Sequence, residues 1–209
     1  MEKYNFLLVD DEALIREGLS SLLQKEPFVN MIYEADGKSQ FIKQLEKKID
    51  IILLDFKLGS SNGIELLQHT KTLKNKAKVI ALTGLEGTEL ILNLLRAGVN
   101  GIVYKLDGYS QIKQTIERVI EGESYFSQKV LYIIQKNAHT WEGASPVILS
   151  YQEKELLKAI SAGLTTKEIS VVLKMTEATI ETYRVRLIKK VKAQNTASLI
   201  AYGFRNGLL

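Results

Sequence analysis

Asp10, Asp11, Asp55, Thr83 and Lys105 each stand just after a short apolar run. The runs are Phe6-Leu7-Leu8-Val9, Ile51-Ile52-Leu53-Leu54, Val79-Ile80-Ala81-Leu82 and Ile102-Val103-Tyr104. Runs of this length read as buried strands, and in an open parallel sheet the carboxyl ends of the strands form the ligand crevice. Three carboxylates, a hydroxyl and an ammonium are thereby directed to one place. That set can hold a divalent cation and accept a phosphoryl group. Taken singly, a strand-end Lys is ordinarily a solvated charge and a strand-end Asp a helix cap; the recurrence at four strand ends carries the reading.

The elements that must position these groups alternate. Helical spacing covers 13–24, with apolar residues at 14, 15, 19, 22 and 23, and recurs at about 38–47, 64–74, 87–97 and 110–121. A weaker strand around Met31-Ile32-Tyr33 joins those near 6–9, 51–54, 79–82 and 101–104. Five strands alternating with five helices predict an α/β domain, its parallel five-stranded sheet covered on both faces, over residues 1–121. Right-handed crossovers place all the βα loops at one end of that sheet. Residues 122–149 read as a linker with one helix near 127–136 and a polar stretch from Asn137 to Pro146. Residues 150–209 are helical throughout, with helices at 151–162, 166–173, 177–192 and 196–206.

Composition narrows the function classes. The chain has no Cys, which excludes disulfides and thiolate chemistry, and its two His, His69 and His139, are far apart in sequence. No apolar run approaches the roughly 20 residues of a membrane span, and the first residues lack a signal-peptide pattern, so a cytoplasmic protein is expected. Residues 150–209 carry 10 basic and 5 acidic side chains, whereas residues 1–122 carry 16 and 17. A near-neutral module joined to a basic one suggests that the second meets a polyanion; charge alone fits a solvated basic face equally well.

Val9-Asp10-Asp11-Glu12, Leu54-Asp55 with Gly63 downstream, Leu82-Thr83-Gly84 and Tyr104-Lys105 together resemble the receiver domain of two-component response regulators. The resemblance implies a flavodoxin-like (βα)5 fold. It makes Asp55 the phosphoacceptor, and Asp10, Asp11, Asp55 and the Lys57 backbone carbonyl the Mg²⁺ site, Asp10 acting mainly through water. Lys105, Thr83 and backbone N–H groups near Phe56 and Gly84 would neutralise the transferring group. Three departures stand out: Phe-Lys-Leu-Gly follows Asp55 where Met-Pro is common, Leu106 replaces the usual Pro, and Ile102 occupies the position of the aromatic switch residue coupled to Thr83. Lys57 would then bear on the lifetime of the acyl phosphate, and the surface of residues 86–109 would carry the output.

Ser150-Tyr151-Gln152-Glu153, Gly163-Leu164-Thr165-Thr166-Lys167-Glu168-Ile169 and Thr176 with Thr179-Ile180-Glu181-Thr182-Tyr183-Arg184 resemble the LuxR-type (NarL/FixJ) helix-turn-helix domain. Thr166 and Thr176 are expected as helix caps, Leu173-Lys174-Met175 as the tight turn, and Ile180, Leu187, Val191 and Tyr202 as core. Ala178, Glu181, Thr182, Val185 and Lys189 share a second face, suited to the major groove. Expected DNA contacts are Thr165, Thr166, Lys167, Glu181, Thr182, Arg184, Val185, Arg186, Lys189 and Lys190, with Lys192 also within reach of phosphate. Glu181 reads either as an acceptor for cytosine N4 or as a solvated helix Glu.

The combined resemblance implies a response regulator transcription factor. A sensor histidine kinase would phosphorylate Asp55, controlling homodimerisation and sequence-specific binding to double-stranded DNA. Its only catalysis would be its own phosphorylation and dephosphorylation. One alternative is a phosphorylation-independent DNA-binding regulator with a degenerate switch; another is a Mg²⁺-dependent phosphohydrolase, for which a domain of this size leaves no cap insertion.

Overall fold

The computed structural model describes residues 2–58, 61–72, 77–84, 87–122, 124–141 and 147–209. In chain order the elements are β1 (Tyr4–Val9), α1 (Ala13–Leu23), β2 (Val29–Ala35), α2 (Lys38–Gln44), β3 (Ile51–Asp55), β4 (Lys57–Leu58), β5 (Ser61–Asn62), α3 (Gly63–Thr72), β6 (Lys78–Thr83), α4 (Thr88–Ala97), β7 (Gly101–Tyr104) and α5 (Gly108–Glu121). Then follow α6 (Gln128–Lys136), α7 (Tyr151–Ser161), α8 (Thr166–Leu173), α9 (Glu177–Lys190) and α10 (Thr196–Arg205), with short 3₁₀ turns at Lys105–Asp107 and Ala138–Thr140. Parts of the expected 64–74 helix, of the polar stretch ending at Pro146 and of the 86–109 surface lie outside the described residues.

By contacts the chain divides into two units, residues 1–86 with 101–115, and residues 87–100 with 116–209. This partition differs from the sequence boundary at residue 121. The first unit contains a five-stranded parallel sheet of order β2-β1-β3-β6-β7. That is the doubly wound, flavodoxin-like order, in which the direction of winding reverses between β1 and β3. Covered faces demand apolar runs: β3 and β7 are buried at every residue, whereas the edge strand β2, which carries Asn30 and Glu34, is buried fully only at Ala35. The hairpin of β4 and β5 has no counterpart in the sequence reading, since two-residue strands carry no periodicity.

Helix α1 buries only part of its apolar stripe. Leu19 and Leu23 are buried, but Leu14 is 83% exposed and Ile15 and Leu22 are also exposed. These side chains line an apolar groove of about 220 Å³ with Leu82, Tyr109 and Ile112. Helical spacing registers a shared stripe, not whether anything covers it.

In the second unit, α4 presents a strongly amphipathic pattern and buries Ile91, Leu92, Leu94 and Leu95. It ends at Gly98, whose positive φ of 88° supplies the left-handed C-terminal cap. It packs with α6 and α10. Asn195 Nδ2 donates to the Leu95 carbonyl at 2.9 Å, and Arg96 donates to Thr140 Oγ1 at 3.1 Å. Arg118 pairs with Glu168, and Gly122 lies so close to the Thr165 and Thr166 backbone that a Cβ would meet it at 3.3 Å. The helix-turn-helix is α8 and α9, joined at Lys174 in the left-handed region (φ 53°). Ile180, Leu187, Val191 and Tyr202 are core, as expected.

Candidate phosphoacceptor pocket and helix-turn-helix

Strand register assembles the pocket. Val9 pairs with Leu54, Asp55 with Leu82, and Thr83 with Tyr104. Asp10, Asp55, Thr83 and Lys105 are therefore each at, or one residue past, the carboxyl end of a neighbouring strand. Asp10 and Asp55 flank the β1–β3 switch point, where such sheets open into a crevice.

The carboxylates of Asp10, Asp11 and Asp55 each offer an oxygen within 4.8 Å of the others; Asp10 and Asp55 are buried and Asp11 is exposed. Lys105 Nζ sits among them, 2.8 Å from Asp10 Oδ2, 3.0 Å from Asp55 Oδ2 and 3.3 Å from Glu12 Oε1. The Asp10 contact is an ion pair without a well-directed hydrogen bond at Oδ2. Burial raises the Asp55 carboxyl above the ordinary carboxylate range. The hydrogen bonds from Lys105 and the Lys57 N–H offset part of this, and the Asp10 charge adds to it. Burial pulls the Lys105 ammonium down, but its contacts with the Asp10 and Asp55 carboxylates outweigh burial and leave it firmly protonated. One ammonium faces four carboxylates, counting Glu12. The hard oxygen donors and the residual negative charge fit Mg²⁺, which prefers carboxylate ligands and retained waters.

Two details add to the sequence expectation. The Phe56 N–H is committed to the Leu82 carbonyl at 3.0 Å, extending the β3–β6 ladder. The amide that reaches the acceptor is the next one: the Lys57 N–H donates to Asp55 Oδ1 at 3.1 Å. Glu12 was missed as a partner of Lys105; its position beside Asp10–Asp11 was the available signal. Thr83 is buried at the end of β6, and Ile102 is buried in β7.

In the helix-turn-helix the caps are explicit. Thr165, not Thr166, caps α8: its Oγ1 accepts the Glu168 N–H at 3.2 Å, while Glu168 Oε2 accepts the Thr165 N–H at 2.8 Å. Thr165 and Glu168 have the three-residue spacing of a capping box, which the adjacent Thr166 lacks. Thr176 caps α9. Of the expected DNA contacts, Lys167, Thr182, Val185, Arg186, Lys189 and Lys190 are exposed. Thr165, Thr166 and Arg184 are buried. In the free chain Glu181 has partners that neither reading foresaw: its Oε1 accepts from Thr166 Oγ1 at 2.5 Å and lies 3.7 Å from Arg184 Nη1. Lys190 is paired with Glu153 at 2.6 Å.

Comparison with known proteins agrees with both halves. The family "Response regulator receiver domain" matches residues 6–117, and "Bacterial regulatory proteins, luxR family" matches residues 147–202. The response regulator protein VraR of Staphylococcus epidermidis is 28% identical over 208 residues, covering 97% of each chain. VraR of Staphylococcus aureus is likewise 28% identical with 97% coverage of both. Among solved structures, the RcsB response regulator of Salmonella typhimurium is similar in fold, with a TM-score of 0.59 at 21% identity, covering 97% of this chain and 98% of that one. A structure described as two RcsB dimers bound to two parallel DNAs gives a TM-score of 0.60 at 20% identity, covering 96% and 98%.

Proposed function

Because the chain belongs to the response regulator family, joining a receiver domain to a LuxR-type DNA-binding domain, we propose that phosphorylation of Asp55 governs its binding to DNA. The donor is the phosphohistidine of a sensor kinase. An Asp55 carboxylate oxygen attacks phosphorus, the P–N bond breaks, and its electron pair stays on the imidazole nitrogen. The observation that carries this reading is Asp55 itself: buried, 3.0 Å from the Lys105 ammonium and within reach of two more carboxylates.

The roles follow from charge. Lys105, held protonated, meets the negative charge that spreads over the phosphoryl oxygens. Thr83, one residue past the level of Asp55 on the adjoining strand, offers its hydroxyl to the same oxygens. The Lys57 N–H, now on Asp55 Oδ1, keeps the acceptor oriented. Mg²⁺ would be held by Asp11, Asp55 and the Lys57 carbonyl, with Asp10 acting through water, and when bound it supplies charge neutralisation. Downstream, phosphorylation promotes a homodimer whose two basic modules engage paired half-sites. The RcsB dimers on DNA support that arrangement. No helix among the described residues is long and apolar enough to cross a membrane.

The test is intact mass after incubation with Mg²⁺ and a small-molecule phosphodonor, beside Asp55→Asn. One phosphoryl group on the wild type and none on the variant is expected, followed by tighter binding of the phosphorylated form to a paired half-site duplex. A folded wild type that takes up no phosphoryl group or beryllofluoride, and binds DNA equally well throughout, would replace this reading with the phosphorylation-independent one.

A further inference from the structure

The pocket depends on where the chain goes as it leaves β1. Asp10 and Asp11 lie between the last residue of β1 and the uncapped start of α1: Glu12, at the N-cap position, makes no side-chain capping bond, and the first turn carries no acidic residue. Something else must fix this short connection, because Mg²⁺ tolerates little error in the placement of its oxygen ligands.

Arg16, one turn into α1, supplies that fixture. Its side chain is 15% exposed and folds back along the helix. Nη1 donates to the Asp10 backbone carbonyl at 2.7 Å, and Nε donates to Glu34 Oε2 at 3.2 Å. Glu34 lies on β2, and its own carbonyl accepts from Gln44 Nε2 at 3.1 Å. The Asp10 N–H is bonded to the Ala35 carbonyl of the same strand at 3.1 Å. Asp10 is therefore held at both ends of its backbone, by β2 on one side and by a guanidinium anchored to β2 on the other. A peptide unit is planar, so fixing the direction of the Asp10 carbonyl also fixes the Asp11 N–H and the path to the Asp11 Cα. The Asp10 side chain is tied in the same loop, with Oδ1 accepting the Glu12 N–H at 2.9 Å.

We propose that Arg16 is a positioning residue for the metal-binding pair Asp10–Asp11, acting through the Asp10 carbonyl and Glu34 without touching the metal or the phosphoryl group. The residue type suits the task. A guanidinium presents several donors in a rigid fork and can serve two acceptors at once; an ammonium is a point charge on a flexible stem. The inference rests on the reading of the pocket as a Mg²⁺-assisted phosphoacceptor.

The experiment is calorimetric titration of the full-length protein with MgCl₂, for wild type, Arg16→Met, Arg16→Lys and Glu34→Gln. In parallel, the phosphorylation rate with a small-molecule donor is followed as a function of Mg²⁺. Loss of an outer-shell orienting partner weakens metal binding by about 10- to 100-fold. Arg16→Met is expected to raise the Mg²⁺ dissociation constant by about tenfold or more. Its phosphorylation rate at saturating Mg²⁺ should return close to wild type, since Asp55, Thr83 and Lys105 are untouched. Glu34→Gln, which keeps a neutral acceptor, should shift the constant less. A folded Arg16→Met that binds Mg²⁺ within twofold of wild type overturns the proposal, as does an unchanged affinity in Arg16→Lys should Arg16→Met not fold. A wild type that binds no Mg²⁺ defeats the reading of the pocket and this inference with it, an outcome distinct from an unaffected Arg16 variant.

Discussion

Gly63 and Gly18 should respond in opposite directions to the same substitution. At Gly63, the first residue of α3, a Cβ would stand 3.0 Å from the Phe56 Cα, 3.1 Å from the Phe56 carbonyl oxygen and 3.3 Å from the Asp55 carbonyl oxygen. All three are backbone atoms of the segment that carries Asp55, so the strain cannot be relieved by turning a side chain. Gly63→Ala is expected to lower stability by about 1–3 kcal/mol, the usual range for overpacking, and to slow phosphorylation by displacing Asp55. At Gly18, an exposed position within α1, nothing lies within 4 Å of the added methyl. Gly18→Ala should therefore stabilise by about 0.5–1 kcal/mol through helix propensity. Thermal melts of both variants beside the wild type check the pair; equal shifts would refute the argument. At this scale the pocket was largely legible, because Asp10, Asp11, Asp55, Thr83 and Lys105 announce themselves as polar residues breaking apolar strands. Arg16 and Glu12 were not: Arg16 folds back onto the Asp10 carbonyl and Glu12 reaches across to Lys105, and spacing alone does not give a side chain's direction.

Most element boundaries were readable to within one or two residues because their signals are local. The capping boxes at Ser150–Glu153 and Thr165–Glu168 mark helix starts in the sequence itself. The β4–β5 hairpin and the placement of α4 were not readable: the first is too short to show a period, and the second depends on which partner covers an amphipathic face. The Thr165–Glu168 box yields a pH prediction. The Thr165 N–H, and then the paired Arg118, hold the Glu168 carboxyl below its ordinary range. A carboxyl lowered in the folded state adds stability above its unfolded pKa, near 4.3, and loses that stability as pH falls through the folded value. Glu168→Gln keeps an acceptor for the Thr165 N–H but removes the charge. The variant should melt below the wild type at neutral pH, and the gap should close as pH drops below the ordinary carboxylate range. A gap independent of pH would mean that the charge contributes nothing. Because Glu168 is 38% exposed, added salt should narrow the gap as well.

Over the whole molecule, charge is partitioned between the acidic pocket and the basic helical module, and burial decides which basic groups can act on DNA. The sequence presents Arg184, Arg186, Lys189 and Lys190 as one cluster, yet their surroundings differ. Arg184 is 3% exposed and sits beside Glu181, while Lys190 is paired with Glu153 of α7. Arg186 and Lys189 are exposed. Each phosphate neutralised by a cationic side chain contributes about −0.9 to the slope of log affinity against log salt concentration on duplex DNA. Lys189→Ala should therefore weaken binding to specific and unrelated duplexes alike and flatten that slope by about 0.9 per bound protomer. Arg184→Ala should leave the slope unchanged but lower stability by on the order of 1–3 kcal/mol, because a buried ionic partner is removed. Binding measured at several salt concentrations, with melting curves on the same samples, separates the two effects. An Arg184→Ala protein of wild-type stability with a flattened slope would mean that the arginine turns outward on DNA and that its buried position belongs to the resting state alone. The expected opposite pattern assigns Arg184 to holding Glu181 and Thr166 in place at the α8–α9 contact, and leaves phosphate attraction to the residues already facing solvent.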